Sequence, residues 1–399
     1  MTPVERRGGL RLRLLDVPLL LSACQHAASR PEAKGGLRVA TYNTSLYSDE
    51  DGGLLARLNA GDDNARKIAA VIQHQRPDLL LLNEFDYDEG HLAADAFQHR
   101  YLEVAQFGQA PIQYPYRYLA PVNTGMPSGM DLDHDGKIGG GNDSFGFGNH
   151  PGQYGMLVLS RYPIDDASIR SFQEFAWKDL PGALAPMDPN TGEPWYPWEV
   201  WTQLRLSSKS HWDVPVQTPA GTIHFLVDHP TPPVFDGPED RNGRRNHDEI
   251  RLWAEYISGG DKAWLCDDGG RCGGLPADAL FVIAGDHNAD PVDGDSSLDA
   301  MAQLLGNPRL LRYPAPTSKG AVRAAKAAGG GNLSQKGPAA QDTGDFGPKV
   351  GNLRLDYVLP STGLQVRASG VFWPKPGAEG ADWIDASDHH MVWLDLGAP

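Results

Sequence analysis

Ala279-Leu280-Phe281-Val282-Ile283-Ala284-Gly285-Asp286-His287-Asn288-Ala289-Asp290-Pro291 passes from an apolar run of strand length directly into a glycine and a group of polar side chains. The pattern occurs three more times. Asn43 follows the predicted strand Leu37–Tyr42, Glu84 follows the apolar Leu79–Leu82, and His229 follows Phe225–Val227. One polar residue after a strand is an ordinary turn residue. Four of them match the way layered α/β proteins gather reactive groups at strand ends.

Two C-terminal segments extend the pattern. Leu355-Asp356-Tyr357-Val358 sets an acid inside an apolar strand, and Ser387-Asp388-His389-His390 sets an acid beside two imidazoles ahead of the last strand. A carboxylate in a strand interior is costly without a partner, and histidine is the obvious one. An Asp–His pair orients the imidazole and raises its basicity. Asn43, Glu84 and Asp388 offer the oxygen ligands that Mg²⁺ or Mn²⁺ prefers, so together the residues form an inventory for metal-assisted phosphate chemistry.

The rest of the chain reads as mixed α/β in one domain from residue 37 to 399. Helices are predicted at Asn64–Gln75, begun by an Asn cap, and at His247–Ile257. Strands are predicted at Asp78–Leu82, Gly155–Ser160, Trp198–Leu206, Thr222–Val227, Ala279–Ala284, Leu353–Leu359 and Met391–Leu396. The 46 Gly and 32 Pro imply many loops. Connections at 117–153, 177–197, 230–246 and 314–350 exceed what chain closure needs, and the Gly/Ala-rich 314–350 stretch reads as a flexible loop. Hydrophobic residues at 40% and charged residues at 22% are ordinary globular values. A formal charge of −16 argues against a broad basic face for nucleic acid.

Asp131-Leu132-Asp133-His134-Asp135-Gly136-Lys137-Ile138 has the spacing of a calcium loop, with acids at positions one, three and five, glycine at six and an apolar residue at eight. Position twelve is Asn142, and Asp143 follows in place of the bidentate Glu. A looser structural Ca²⁺ site ordering the 117–153 insertion is the expectation, against an unoccupied acidic turn.

At the N-terminus, Arg6 and Arg7 precede an apolar run from Leu14 to Leu21, and Leu21-Ser22-Ala23-Cys24 resembles the lipobox of bacterial lipoproteins. This implies a signal peptide over 1–23, a lipid on Cys24, membrane attachment through it and a flexible tether over 24–36. Cys266 and Cys272 then form a pair six apart, suited to a disulfide in an oxidising compartment, with a metal knuckle as the rival reading. The two readings point together to export, as an outer-membrane or cell-surface lipoprotein or a periplasmic or secreted protein.

Five ordered segments carry a family resemblance. Arg38–Asn43, Leu82-Asn83-Glu84, Gly285–Pro291, Leu355-Asp356-Tyr357 and Ser387-Asp388-His389 are similar to the motifs of the endonuclease/exonuclease/phosphatase superfamily, over about Leu37 to Leu396. The resemblance implies a four-layered α/β sandwich, with two packed mixed sheets flanked by helices. It implies Glu84 as principal metal ligand, assisted by Asn43 and Asp388, and Asp286 orienting or deprotonating water. Asn288 would hold a phosphate oxygen, His389 would pair with Asp356, and His229 would be the second catalytic histidine. Arg161, after the similar Gly155–Ser160 strand, would support the site. His287 departs from the usual aromatic and, like His390, reads as structural.

Arg244 and Arg245 lie in a stretch read as a loop that could close over a phosphodiester, since Arg pairs with phosphate in a bidentate manner. The leading reading is therefore an exported metal-dependent phosphodiester hydrolase, foremost a nuclease acting on extracellular DNA or RNA. A phosphatase or phospholipid phosphodiesterase is the first alternative, and a catalytically silent surface module the second. The aromatics Trp195, Tyr196, Trp198, Trp201 and Trp212 serve base stacking and lipid contact equally. No protein partner is indicated.

Overall fold

A computed structural model describes Thr2 and residues 36–297 and 299–397. Cys24 and nearly all of the proposed leader and tether lie outside the described residues. The strands are β1 (Gly36–Leu46), β2 (Leu79–Phe85), β3 (Tyr116–Tyr118), β4 (Met156–Ser160), β5 (Arg170–Ser171), β6 (His211–Thr218), β7 (Gly221–Asp228), β8 (Leu280–Asp286), β9 (Gly344–Asp345), β10 (Asn352–Leu353), β11 (Asp356–Pro360), β12 (Gln365–Val371) and β13 (Val392–Gly397). The helices are α1 (Gly53–Ala60), α2 (Asp63–Gln75), α3 (Leu92–Phe97), α4 (Trp198–Trp201), α5 (Arg241–Ile257), α6 (Ala300–Leu305), α7 (Lys319–Ala328) and α8 (Gly347–Val350).

One sheet has the order β12-β13-β1-β2-β4-β3 and the other β11-β8-β7-β6-β5, with β9 and β10 as a separate pair. The layering follows from side-chain alternation along the central strands. On β2, Leu80 and Leu82 pack toward the helix layer of α1, α2 and α3, while Leu79 and Leu81 face the second sheet. On β8, Val282 and Ala284 meet the first sheet, while Phe281 and Ile283 pack under α5 and α6. Both sheets are thus buried on both faces, which explains the nearly unbroken apolar runs. The result is the four-layered sandwich of two mixed sheets flanked by helices.

Several local expectations are corrected. Trp198–Leu206 is not a strand: α4 and a turn occupy it, because a short apolar run does not distinguish the two periods. The cap of α2 is Asp62, whose carboxylate accepts from Ala65 N at 2.7 Å, rather than Asn64. The 314–350 stretch is not structureless, since α7 lies within it, capped by the Ser318 hydroxyl. Gly320 makes that packing possible, for a Cβ there would stand 1.9 Å from the Trp373 carbonyl oxygen. Neither β6 nor β12 was foreseen; β6 contains Pro215, which normally argues against an interior strand. Helix α5 begins at Arg241, so Arg244 and Arg245 belong to a helix rather than a loop.

Candidate active site

Strands β1 and β2 run parallel, as do β7 and β8, so Asn43, Glu84, Asp228 and Asp286 all sit toward carboxyl ends. Strand β11 is antiparallel to β8, with Asp356 opposite Asp286, and β13 is antiparallel to β1, which brings the preceding His389 to the same edge. Asn83 ties the sheets together there: its side-chain nitrogen donates to Asp228 O at 3.2 Å and its oxygen accepts from Asp286 N at 3.1 Å. The motifs are scattered in sequence but share one end of the sandwich.

Asp286 is the centre of this cluster. Its Oδ2 accepts from Asn43 Nδ2 at 2.9 Å and lies 3.5 Å from Nε2 of both His229 and His389. Its Oδ1 accepts from Asn288 N at 2.9 Å. Asn43 Nδ2 also donates to Glu84 Oε1 at 3.0 Å, so one amide spans the two acids. His389 Nδ1 is 2.8 Å from Asp356 Oδ2, which also accepts from the Thr343 hydroxyl at 2.7 Å. The backbone is held in the left-handed region at Ser45 (φ 49°), Glu84 (φ 55°) and Asn288 (φ 51°), a conformation that non-glycine residues adopt at a cost.

Burial disfavours charge throughout the cluster, and the neighbours decide the outcome. Desolvation pushes Glu84 up to about 7, with the Asn43 hydrogen bond and His389 opposing and Asp286 and Asp388 adding to the rise. Burial also disfavours the imidazolium of His389, but Asp356 and Asp286 outweigh it and hold the ring well above its ordinary range. His229 goes the other way: burial, with Lys209 and His389 nearby, holds it well below the ordinary value. The two imidazoles flanking the same carboxylate are therefore shifted in opposite directions.

The donor set fits a hard divalent cation. Ligand atoms of Glu84, His229 and Asp286 lie within 4.8 Å of one another, as do those of Asp286, Asp356 and His389. Among the described residues Glu84 has no Lys or Arg within ion-pair distance, so no cation offsets the desolvation that raises its pKa. Asp388 is exposed, with Oδ1 3.5 Å from the Ser45 hydroxyl. Asn288 points its amide at Pro230 O (3.0 Å).

Other predicted site residues lie elsewhere. Arg161 is bound to Asp78 at 3.1 Å, at the opposite end of β2 from Glu84, roughly 20 Å away at strand spacing. It does not support the site directly. Arg245 donates to the carbonyls of Leu206, Phe145 and Arg205, and Arg244 reaches Ala185 O at 3.4 Å with its Nε buried and unpaired among the described residues, so α5 holds both in place and neither lies in a loop able to close over a substrate. Asp131, Asp133 and Asp143 bring carboxylates within 4.8 Å of one another, whereas Asp135 is outside this group. Cys266 and Cys272 are joined by a disulfide.

His287, read from the sequence as structural, packs against a buried acid, and sequence reading missed two further contributors, His211 and Lys209. His287 and His211 approach opposite oxygens of buried Asp228, at 3.2 and 3.3 Å, beneath the cluster. Lys209 is 5% exposed and lines the cavity beside Glu84 and His229. Its position in Ser207-Ser208-Lys209-Ser210 carries no strand-end signal, because the apolar run of β6 follows it instead of preceding it.

The comparisons accord with this architecture. No curated protein matches the chain. Among solved structures, the endonuclease/exonuclease/phosphatase from Beutenbergia cavernae is similar at TM-score 0.50 and 19% identity, covering 91% of this chain and 72% of that one. Sphingomyelinase C from Streptomyces griseocarneus gives TM-score 0.43 at 18% identity, over 90% and 99% of the two chains. The human Nocturnin catalytic domain gives TM-score 0.44 at 13% identity, over 92% and 94%. At these identities the first likeness is one of fold, and the other two carry no argument. The Endonuclease/Exonuclease/phosphatase family model, however, matches residues 40–389. Matched over most of its length and carrying the acids, amides and histidines at one sandwich edge, the chain belongs to the endonuclease/exonuclease/phosphatase family of metal-dependent phosphoric ester hydrolases.

Proposed function

We propose that the protein is an exported phosphodiester hydrolase using Mg²⁺ or Mn²⁺. The observation that carries the reading is the environment of Asp286 Oδ2, shared by Asn43 and two imidazoles of opposite charge preference. Glu84, Asn43 and Asp388 would hold the cation, which when bound polarises a phosphoryl oxygen and screens charge. Asp286 orients a water and accepts its proton. His389, held by Asp356, donates to the phosphoryl oxygen or leaving group, while neutral His229 and the Asn288 amide complete the donor set for charge that builds on phosphorus.

Nucleotide-type diesters are the substrate class taken from the nuclease reading. A polymer-binding face has weak support, given the charge of −16 and the internal engagement of Arg244 and Arg245. Export rests on the lipobox-like Leu21–Cys24 and on the disulfide Cys266–Cys272. The acidic loop of Asp131, Asp133 and Asp143 would take Ca²⁺ and stiffen the insertion.

The test is hydrolysis of plasmid DNA, RNA, bis-p-nitrophenyl phosphate and p-nitrophenyl phosphate with Mg²⁺, Mn²⁺ and Ca²⁺ varied. Metal-dependent diester turnover abolished by Glu84→Gln is expected, and turnover indifferent to that substitution would overturn the reading. Incorporation of a labelled fatty acid, abolished by Cys24→Ser, tests the lipid anchor.

A further inference from the structure

A cavity of about 630 Å³ opens from Glu84, His229 and Asp388. That volume suits a ligand of small-molecule size and lies within the range of pockets that bury most of such a ligand. Two insertions build it. The 117–153 insertion contributes Leu132 and Phe145, the 230–245 segment contributes Val234, and Trp177 and Tyr196 line it as well. Tyr47 and Tyr154 pair at a centroid separation of 4.5 Å and also line it, so aromatic surface adjoins the reacting groups.

The cavity wall also carries the side chain of Lys209. Lys209 is buried, yet its ammonium has no hydrogen bond or ion pair among the described residues. The nearby Glu249 attracts it through charge without a hydrogen bond between them, its two oxygens accepting from Ser208 N at 2.5 Å and Thr231 N at 2.6 Å. Arg245, on the same wall, donates through Nε and one terminal nitrogen to backbone carbonyls and makes no ion pair among the described residues. An ammonium on an otherwise buried side chain that lines a cavity is placed to take an anionic oxygen from a ligand. The carboxylates of Glu84 and Asp388 and the Lys209 side chain line one cavity, a combination that suits a phosphoryl group bound between a cation and an ammonium.

We infer that the cavity seats a compact phosphate ester bearing one aromatic group of about nucleoside size, with Lys209 gripping a phosphoryl oxygen. This rests on the reading of the site as a phosphodiester hydrolase. Lys209 is a phosphate-binding residue in this assignment, and the aromatic walls take the organic substituent. A duplex has no comparable seat: its backbone needs a broad basic surface, whereas this cationic charge lies inside a walled cavity.

The experiment compares wild type, Lys209→Met and Val234→Trp on the p-nitrophenyl ester of thymidine 5′-phosphate, on p-nitrophenylphosphorylcholine and on plasmid DNA. Binding of inorganic phosphate by calorimetry is the second readout. The nucleotide ester is expected to be the best substrate by at least about tenfold in kcat/KM. Lys209→Met should lower its kcat/KM and weaken phosphate binding on the order of 10- to 100-fold, the cost of one charge-assisted hydrogen bond. Val234→Trp, at a half-buried wall position, should raise KM for the nucleotide ester while leaving phosphate binding unchanged. Preference for the choline ester would overturn the aromatic assignment. Plasmid cleavage indifferent to both substitutions would overturn the cavity assignment and leave the hydrolase reading standing, whereas no turnover of any ester would overturn that reading itself.

Discussion

The imidazole of His389 is held at both nitrogens by acids from the other sheet: Nδ1 lies 2.8 Å from Asp356 Oδ2, and Nε2 lies 3.5 Å from Asp286. The pair of His389 and Asp356 is therefore an inter-sheet contact that positions the ring as well as a charge pair. Asp356→Asn should keep the fold but lose the tautomer and the charge stabilisation. Diester turnover should fall about 10²- to 10⁴-fold in kcat. Steady-state kinetics at saturating metal measure this, and a loss confined to KM would refute the positioning role.

Glu84 concerns cation affinity. Glu84→Gln removes the one acid of the cluster that sits on β2, between Asn43 and the cavity. Mg²⁺ or Mn²⁺ binding by calorimetry should weaken at least about tenfold, and metal-dependent turnover should disappear.

Arg161 and Arg244 concern the fold alone. Arg161→Ala and Arg244→Ala should leave kcat/KM within about twofold of wild type. The half-buried Arg161–Asp78 pair should cost about 0.2–1 kcal/mol of stability when broken. A large rate loss in Arg161→Ala would show coupling along the full length of β2.

Asp143 ties the acidic loop to its surroundings, accepting from Leu132 N at 2.7 Å and Gly139 N at 2.8 Å. If the loop takes Ca²⁺, millimolar Ca²⁺ should raise Tm by a few degrees through mass action. Asp143→Asn should abolish that shift. An unchanged Tm across a Ca²⁺ titration would refute the site.

Asp342 is pushed up to about 7 by burial, with Asp290 and Asp293 adding to the rise. Its folded pKa is raised above the unfolded value, so ionising it disfavours the folded state. The penalty grows as pH rises from the unfolded pKa toward 7 and is fully present above it. Asp342→Asn should therefore stabilise the protein more at pH 8 than at pH 5, on the order of 1–3 kcal/mol at the higher pH. Denaturant unfolding at the two pH values checks the sign, and an equal or reversed effect would refute it.

Much of the site was legible because the chemistry sits at strand ends. Asn43, Glu84, Asp286 and His389 each follow or precede an apolar run, and period-two burial makes such runs visible in a single sequence. The arginines were misread for a complementary reason. A charged side chain looks alike in sequence whether it faces a substrate or three backbone carbonyls, as Arg245 does.

The sequence by itself determined the strand-rich mixed architecture, the acid, amide and imidazole inventory and the family, because these depend on local pattern and residue type. Only the tertiary structure decided which groups meet. The approach of Asp286 to both histidines depends on strand register and on how closely the two sheets pack. The seating of Lys209 beside Glu249 with no hydrogen bond among the described residues, and a cavity built by two insertions, depend on the same packing. These are long-range distances, and no local spacing in the chain encodes them.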